Sequence, residues 1–244
     1  MRRALGILYI IIIIIGIIIN ISINFTRERW IRQEYKGNEK ISEIYIQGFD
    51  AQITIVKDST INYTYIVNTS FKEKSPPLVY TEKGVLKIKQ ASGSIRIKYK
   101  GNVSAIYGSI NSGSLTIIAI YDESLRIDFS VESGNIDCFV ADGNYSVALY
   151  VDNGNVNLRV IDSSLSGLIN VETGNPNVFI KSPHGGSIEV NIIRGSFSFK
   201  GYGYLSNVTK KEQGYYGFVY SDGNSISYSI KVIRGNLDLT AIKG

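Results

Sequence analysis

The chain has one cysteine and one histidine in 244 residues. A lone cysteine, Cys138, excludes an intramolecular disulfide, so the stapling common in secreted domains is absent. A lone histidine leaves no second imidazole for a zinc set or a nucleophilic triad. His184 sits in Ser182-Pro183-His184-Gly185-Gly186, which reads as a surface turn. No phosphate-cradling loop of the Gly-x-x-x-x-Gly-Lys-Ser/Thr kind occurs, and no strand-then-helix Gly-x-Gly-x-x-Gly. The calcium nonapeptide of β-rolls is missing too; Asp142-Gly143-Asn144, Asp152-Asn153-Gly154-Asn155 and Asp222-Gly223-Asn224 read as tight turns. Acidic pairs such as Asp122-Glu123 stand in loops without an evident partner. No cofactor, metal or catalytic residue is therefore expected, and the chain is read as no enzyme.

Excess charge of one sign is also lacking. The net charge is +5, but residues 1–43 hold seven Lys/Arg against four acids, leaving 19 against 17 in the remainder. A nucleic-acid binder needs a concentrated basic face to neutralise phosphates, and none is evident. Proline is scarce (4 residues) and helix-type periodicity is absent beyond the N-terminus, which points to an all-β protein.

What is abundant is glycine, and it is periodic. Gly93, Gly113, Gly134, Gly154, Gly174, Gly195, Gly214 and Gly235 follow one another at spacings of 20, 21, 20, 20, 21, 19 and 21. Two and four residues after each stand mostly apolar side chains, such as Ile136/Cys138 and Val156/Leu158, with a polar residue or glycine between them. That is a strand with one buried face, repeated in phase. A second alternating run precedes most glycines, for example Leu125, Ile127, Phe129 and Val131. Each unit reads as strand, tight turn, strand and polar bend. A period of this length signals an array. The expected fold is a β-solenoid of about eight coils, each ~20 residues, stacking at about 4.8 Å per rung. An antiparallel meander is the alternative, with the glycines as hairpin tips. Residues 93–244 would be the repeats, 44–92 a β-rich entry and capping module, and 26–43 a stalk. The chain would end inside a coil, leaving that end thinly capped.

Residues 1–25 carry an uncharged, isoleucine-dominated run from Leu5 to Phe25, flanked by Arg2 and Arg3 and by Arg27, Arg29 and Arg32. About twenty apolar residues span a bilayer as one helix. No small-x-small cleavage site follows, so an uncleaved transmembrane anchor is expected, with the bilayer as partner through 5–25. Counting basic residues slightly favours a cytoplasmic repeat domain. The export-like N-terminus and an excess of Asn-x-Ser/Thr sequons point outward. Asn62, Asn68, Asn102, Asn144 and Asn207 are the glycosylation candidates; Asn24 and Asn20 open two further sequons near the apolar run. The expected location is the cell membrane, single-pass, with the repeats extracellular. Five residues after the glycines, Ile118, Phe139, Phe179 and Val219 are candidates for an outward apolar contact patch, for self-association or for a cell-surface glycan or protein. A bend that turns them inward is the competing expectation.

The stretches Ile46-Gln47-Gly48-Phe49-Asp50-Ala51-Gln52-Ile53-Thr54-Ile55-Val56 and Gly84-Val85-Leu86-Lys87-Ile88-Lys89, followed by recurring Thr/Ser-Gly-Asn-apolar-x-apolar, resemble the DUF4097-type putative adhesins. The resemblance covers residues 44–244. It implies an envelope-associated β-solenoid-like domain, tethered by an N-terminal helix, with no active site to carry over. A structural or adhesive role in the envelope is the leading expectation. The alternatives are a pilin-like filament subunit built on the apolar helix, a carbohydrate-active β-helix enzyme, and a cytoplasmic envelope sensor if the orientation is inverted.

Overall fold

The computed structural model describes residues 29–211 and 214–244. The anchor expected at 5–25 lies outside the described residues, as do Asn20 and Asn24. Among the described residues, no helix is long and apolar enough to cross a membrane. Sixteen strands are present there: β1 (Trp30–Gly37), β2 (Glu43–Lys57), β3 (Tyr65–Lys72), β4 (Leu78–Glu82), β5 (Val85–Tyr99), β6 (Ala105–Ile120), β7 (Leu125–Ala141), β8 (Asn144–Ile161), β9 (Ser164–Thr173), β10 (Asn177–Ser182), β11 (Gly186–Arg194), β12 (Phe197–Tyr202), β13 (Leu205–Lys211), β14 (Gly214–Tyr220), β15 (Ile226–Arg234) and β16 (Leu237–Lys243). The fold is all-β.

The long strands bend in the middle. In β7 the buried side chains are Leu125, Ile127, Phe129 and Val131, then Ile136, Cys138 and Val140. The buried parity switches from odd to even across Gly134, whose φ is 148°. One residue is absorbed at the corner, as in a bulge, so both halves turn their apolar faces to the same side. First halves therefore form one layer and second halves another, around one continuous core. Beyond β8 the two halves are separate strands: β9 and β10, β11 and β12, β15 and β16.

Neighbouring levels pair in parallel and in register: Gly113 with Gly134, Gly134 with Gly154, Leu115 with Ile136, Ile136 with Val156. Parallel pairing is not that of a meander. At each bend a Cβ on the glycine would meet the carbonyl oxygen of the residue one level below, at 1.7 Å for Gly134 and 1.6 Å for Gly154, Gly174, Gly195 and Gly235. Only a residue without Cβ lets the backbones approach so closely.

Space and sequence disagree about order. From one end to the other the levels are 85–99, 43–57, 105–120, 125–141, 144–161, 164–182, 226–243 and 186–202. Four expectations are corrected by this order. The 44–92 segment is no separate module, because β2 and β5 are full levels; only β1, β3 and β4 are antiparallel additions. The expected stalk contributes β1, which pairs with β3. Gly214 leaves the glycine column, since it opens β14, which runs antiparallel to β11; Ala51 takes the vacant place, opposite Gly93 and Gly113. The C-terminal strands are clamped inside the stack, between β9/β10 and β11/β12, rather than forming a thinly capped end. Both ends use the same device. The chain lays antiparallel strands beyond an outer level and fills the inner neighbour on its way out or back.

Candidate contact surface

Residues at odd offsets after each bend point away from the core of the second layer and form straight rows. One residue past the bend, Asn135, Asn155, Asn175 and Asn236 stack. The Asn155 amide N–H donates to Asn135 Oδ1 (3.0 Å), Asn175 to Asn155 Oδ1 (2.9 Å), Asn236 to Asn175 Oδ1 (2.9 Å) and Ser196 to Asn236 Oδ1 (3.1 Å). The side-chain oxygens accept backbone donors where the bend interrupts the ladder. The recurrent Gly-Asn is thus a structural ladder and not merely a turn former.

Three residues past the bend runs a polar row that includes Thr116, Asp137, Asn157, Asn177 and Asp238. Asn157 Nδ2 donates to Asp137 Oδ1 at 2.7 Å. Five past the bend the spatial order is Lys98, Val56, Ile118, Phe139, Arg159, Phe179, Thr240, Lys200. Ile118, Phe139 and Phe179 are half-buried and face outward between fully buried neighbours such as Cys138 and Val140. Arg159 is seated between two rings, its guanidinium carbon 5.8 Å from the Phe139 centroid and 5.5 Å from that of Phe179. Each such contact is worth about 0.5–1 kcal/mol at an exposed site. The guanidinium is exposed, with an aromatic ring from the neighbouring level on either side of it. Val219 does not belong here: β14 lies outside the bend register and turns Val219 into the core, fully buried. Val56 stands in its stead.

The other set of turns stacks as well. Tyr121, Asp142 and Asp162 hold left-handed φ of 60°, 53° and 48°. The residue after the first of them, Asp122, is 2% exposed and pairs with Lys57, Nζ to Oδ1 2.5 Å; Lys57 also donates to the Tyr121 carbonyl at 2.7 Å. Burial raises the Asp122 carboxyl above the ordinary carboxylate range, partly opposed by Lys57 and Tyr99. Nearby, the Tyr145 hydroxyl donates to the Ala141 carbonyl (2.7 Å) and lies 3.2 Å from that of Ala119, with its pKa pushed up to about 12 by burial. The expectation of an unpartnered Asp122 is therefore corrected. The pair was hidden by 65 residues of separation. It ties two levels together and is too enclosed to meet a substrate.

His184 is exposed in the β10–β11 turn. The Cys138 thiol is buried, with its pKa pushed up to about 12, so it is a core side chain and not a nucleophile. Among the described residues, no group of three or more His, Cys, Asp or Glu is placed to hold a metal ion. Asn62, Asn68, Asn102, Asn144 and Asn207 are all exposed, on four different loops or strands and on the edge strand β13.

No family model matches the chain, and no curated protein matches its sequence. Solved structures similar to it include a putative cell adhesion protein from Clostridium sporogenes, 11% identical with a TM-score of 0.37, covering 89% of this chain and 98% of the other. A putative adhesin from Bacteroides fragilis is 10% identical with a TM-score of 0.38, covering 88% and 97%. A putative adhesin from Parabacteroides merdae is 12% identical with a TM-score of 0.35, covering 87% and 97%.

Proposed function

We propose that this chain is a membrane-anchored β-solenoid displayed outside the cell, binding a cell-surface partner without catalysis. The observation that carries the proposal is Arg159, held between Phe139 and Phe179 on an outward face. It makes no ion pair among the described residues. A guanidinium oriented by rings and left unpaired is preorganised for a carboxylate, sulfate or phosphate edge. The polar row beside it supplies amide and hydroxyl groups suited to a polar partner. The repeat is what makes the face: in-register levels set equivalent side chains about 4.8 Å apart. Anchoring rests on the apolar run at 5–25, and display outside rests on the exposed sequons. The solenoid reading rests on eight parallel levels that share one glycine-lined bend.

The test is adherence. Proteoliposomes carrying the full chain are mixed with intact cells of the producing strain. Phe139→Ser/Phe179→Ser is expected to keep the wild-type circular dichroism and lose at least tenfold in adherence. These rings are half-exposed, so the fold survives their loss. Adherence unchanged in the double variant would remove this face from the function, and a collapsed spectrum would reassign the rings to the core.

A further inference from the structure

The end of the stack farthest from β1 is stepped. In the first layer β11 is followed by β14 and then β13; in the second layer the last strand is β12. The first layer overhangs by two strands. Its core-facing side there carries Tyr215, Gly217 and Val219 from β14 and Ser206, Val208 and Lys210 from β13, as the register with Ile188, Val190 and Ile192 dictates. Among the described residues nothing stands opposite β13, so Val208 is 43% exposed although it points coreward. On β12, Phe197 and Phe199 align with buried Leu237 and Leu239 yet stay half-exposed. Among the described residues the outer edges of β12 and β13 are both unpaired. β12 lacks proline and carries a single charge, Lys200, so it has few of the devices that blunt an edge.

We propose that this end joins a second copy of the chain about a two-fold axis running along the strands between the layers. That axis exchanges the layers. Each overhanging β13–β14 hairpin then fills the two-strand step of the other copy. The pairing is β12 against the partner's β13, twice. Directions agree. The chain reverses at the bend between β11 and β12, because the start of β8 at Tyr145 lies beside the second-layer ends at Ala119 and Ala141. β13 is two antiparallel steps from β11 and so runs with it. Rotation about the strand direction preserves this, making each new pair antiparallel. Both layers then count two strands between the last levels of the two copies. A head-to-tail join would not close. The next copy's end would bring β1 and β3 to the second layer but β4 to a first layer already holding β14 and β13, two strands against three. The mismatch is one strand, about 4.8 Å. The symmetric join is isologous and stops at two.

One feature opposes the join. Arg194, Lys210 and Lys211 line one cavity at this end. The two-fold axis brings the two clusters to the same side, so association tightens as salt is raised. The Asn207 side chain points outward with Phe218 and Glu189, leaving the seam clear of a glycan. β1, the first described strand, stands at the opposite end of the stack. If the chain is anchored as proposed above, the pair spans two facing membranes. The pairing itself does not depend on that reading.

Sedimentation equilibrium of the full chain in density-matched detergent tests it. The wild type is expected to be dimeric, more tightly so in high salt. Val208→Asp, and independently Ser206→Glu, put a charge on the coreward side of β13 and should weaken the dimer at least a hundredfold with an unchanged circular dichroism spectrum. Thr209→Asp, on the outward side of the same strand, should leave it intact, and so should Phe139→Ser/Phe179→Ser. A monomeric wild type would overturn the proposal. So would a dimer that survives both coreward charges, or one that only the phenylalanine variant dissociates.

Discussion

Gly154→Ala, the smallest change available at a bend, is expected to destabilise the chain by at least ~3 kcal/mol. The added Cβ would lie 1.6 Å from the Gly134 carbonyl oxygen, at a φ of 152° that side-chain-bearing residues rarely adopt. Relief requires the two levels to separate, and separation breaks the parallel hydrogen bonds on both sides of the bend. The glycine above would follow, since the carbonyl of Gly154 is the close neighbour of Gly174. Ala51→Gly is the control: the same column position already holds a Cβ there, so no clash is at stake, and the loss of one buried methyl plus the entropy of glycine costs about 1–2 kcal/mol. Thermal unfolding followed by circular dichroism separates the two. A Gly154→Ala melting curve that overlays the wild type would mean the column is not closely packed.

Lys57→Ala is expected to cost about 3–5 kcal/mol at neutral pH, because it strands a buried carboxylate. The effect should shrink as pH falls. The folded-state pKa of Asp122 is raised by burial, so folding favours its protonated form. That contribution is complete below the unfolded value, about 4, and is lost as pH rises through the folded one. Without Lys57 the folded value climbs further, and the variant regains stability once Asp122 can take up a proton. Urea unfolding at pH 7 and pH 5 should therefore show a smaller gap at pH 5. A gap independent of pH would mean that Asp122 reaches water in the variant. Lys57→Met/Asp122→Leu should recover most of the loss, since replacing both members of a buried pair removes the desolvation cost along with the attraction.

These two sites differ in how legible they were. The glycine column could be read from sequence because a bend that brings backbones within contact repeats with the level and, at every level but that of Ala51, is held by glycine. Alternation on either side of it gave the strands and most of the core. The order of the levels could not be read, because local pattern says nothing about which level lies beside which. Ala51-x-Ile53-x-Ile55 carries the same pattern as a glycine unit but wears a methyl group at the bend, and so passed for an entry module. Gly214 has the spacing but sits in a strand that turns back on β11, which is why Val219 went to the core instead of the outward row. The Lys57–Asp122 pair joins residues from β2 and from the loop after β6, and nothing local to either announces the other. Phe139 and Phe179 were legible as outward candidates. That Arg159 lies between them followed only from the register.

Display outside the cell is the claim on which the proposed binding role depends. Intact cells that make the protein are treated with a protease, and the released peptides are analysed by mass spectrometry. The account predicts peptides from 44–244 in the medium, with glycan mass on some of Asn62, Asn68, Asn102, Asn144 and Asn207. No release from intact cells, together with full cleavage and unmodified asparagines after lysis, would contradict it and place the binding face on the cytoplasmic side.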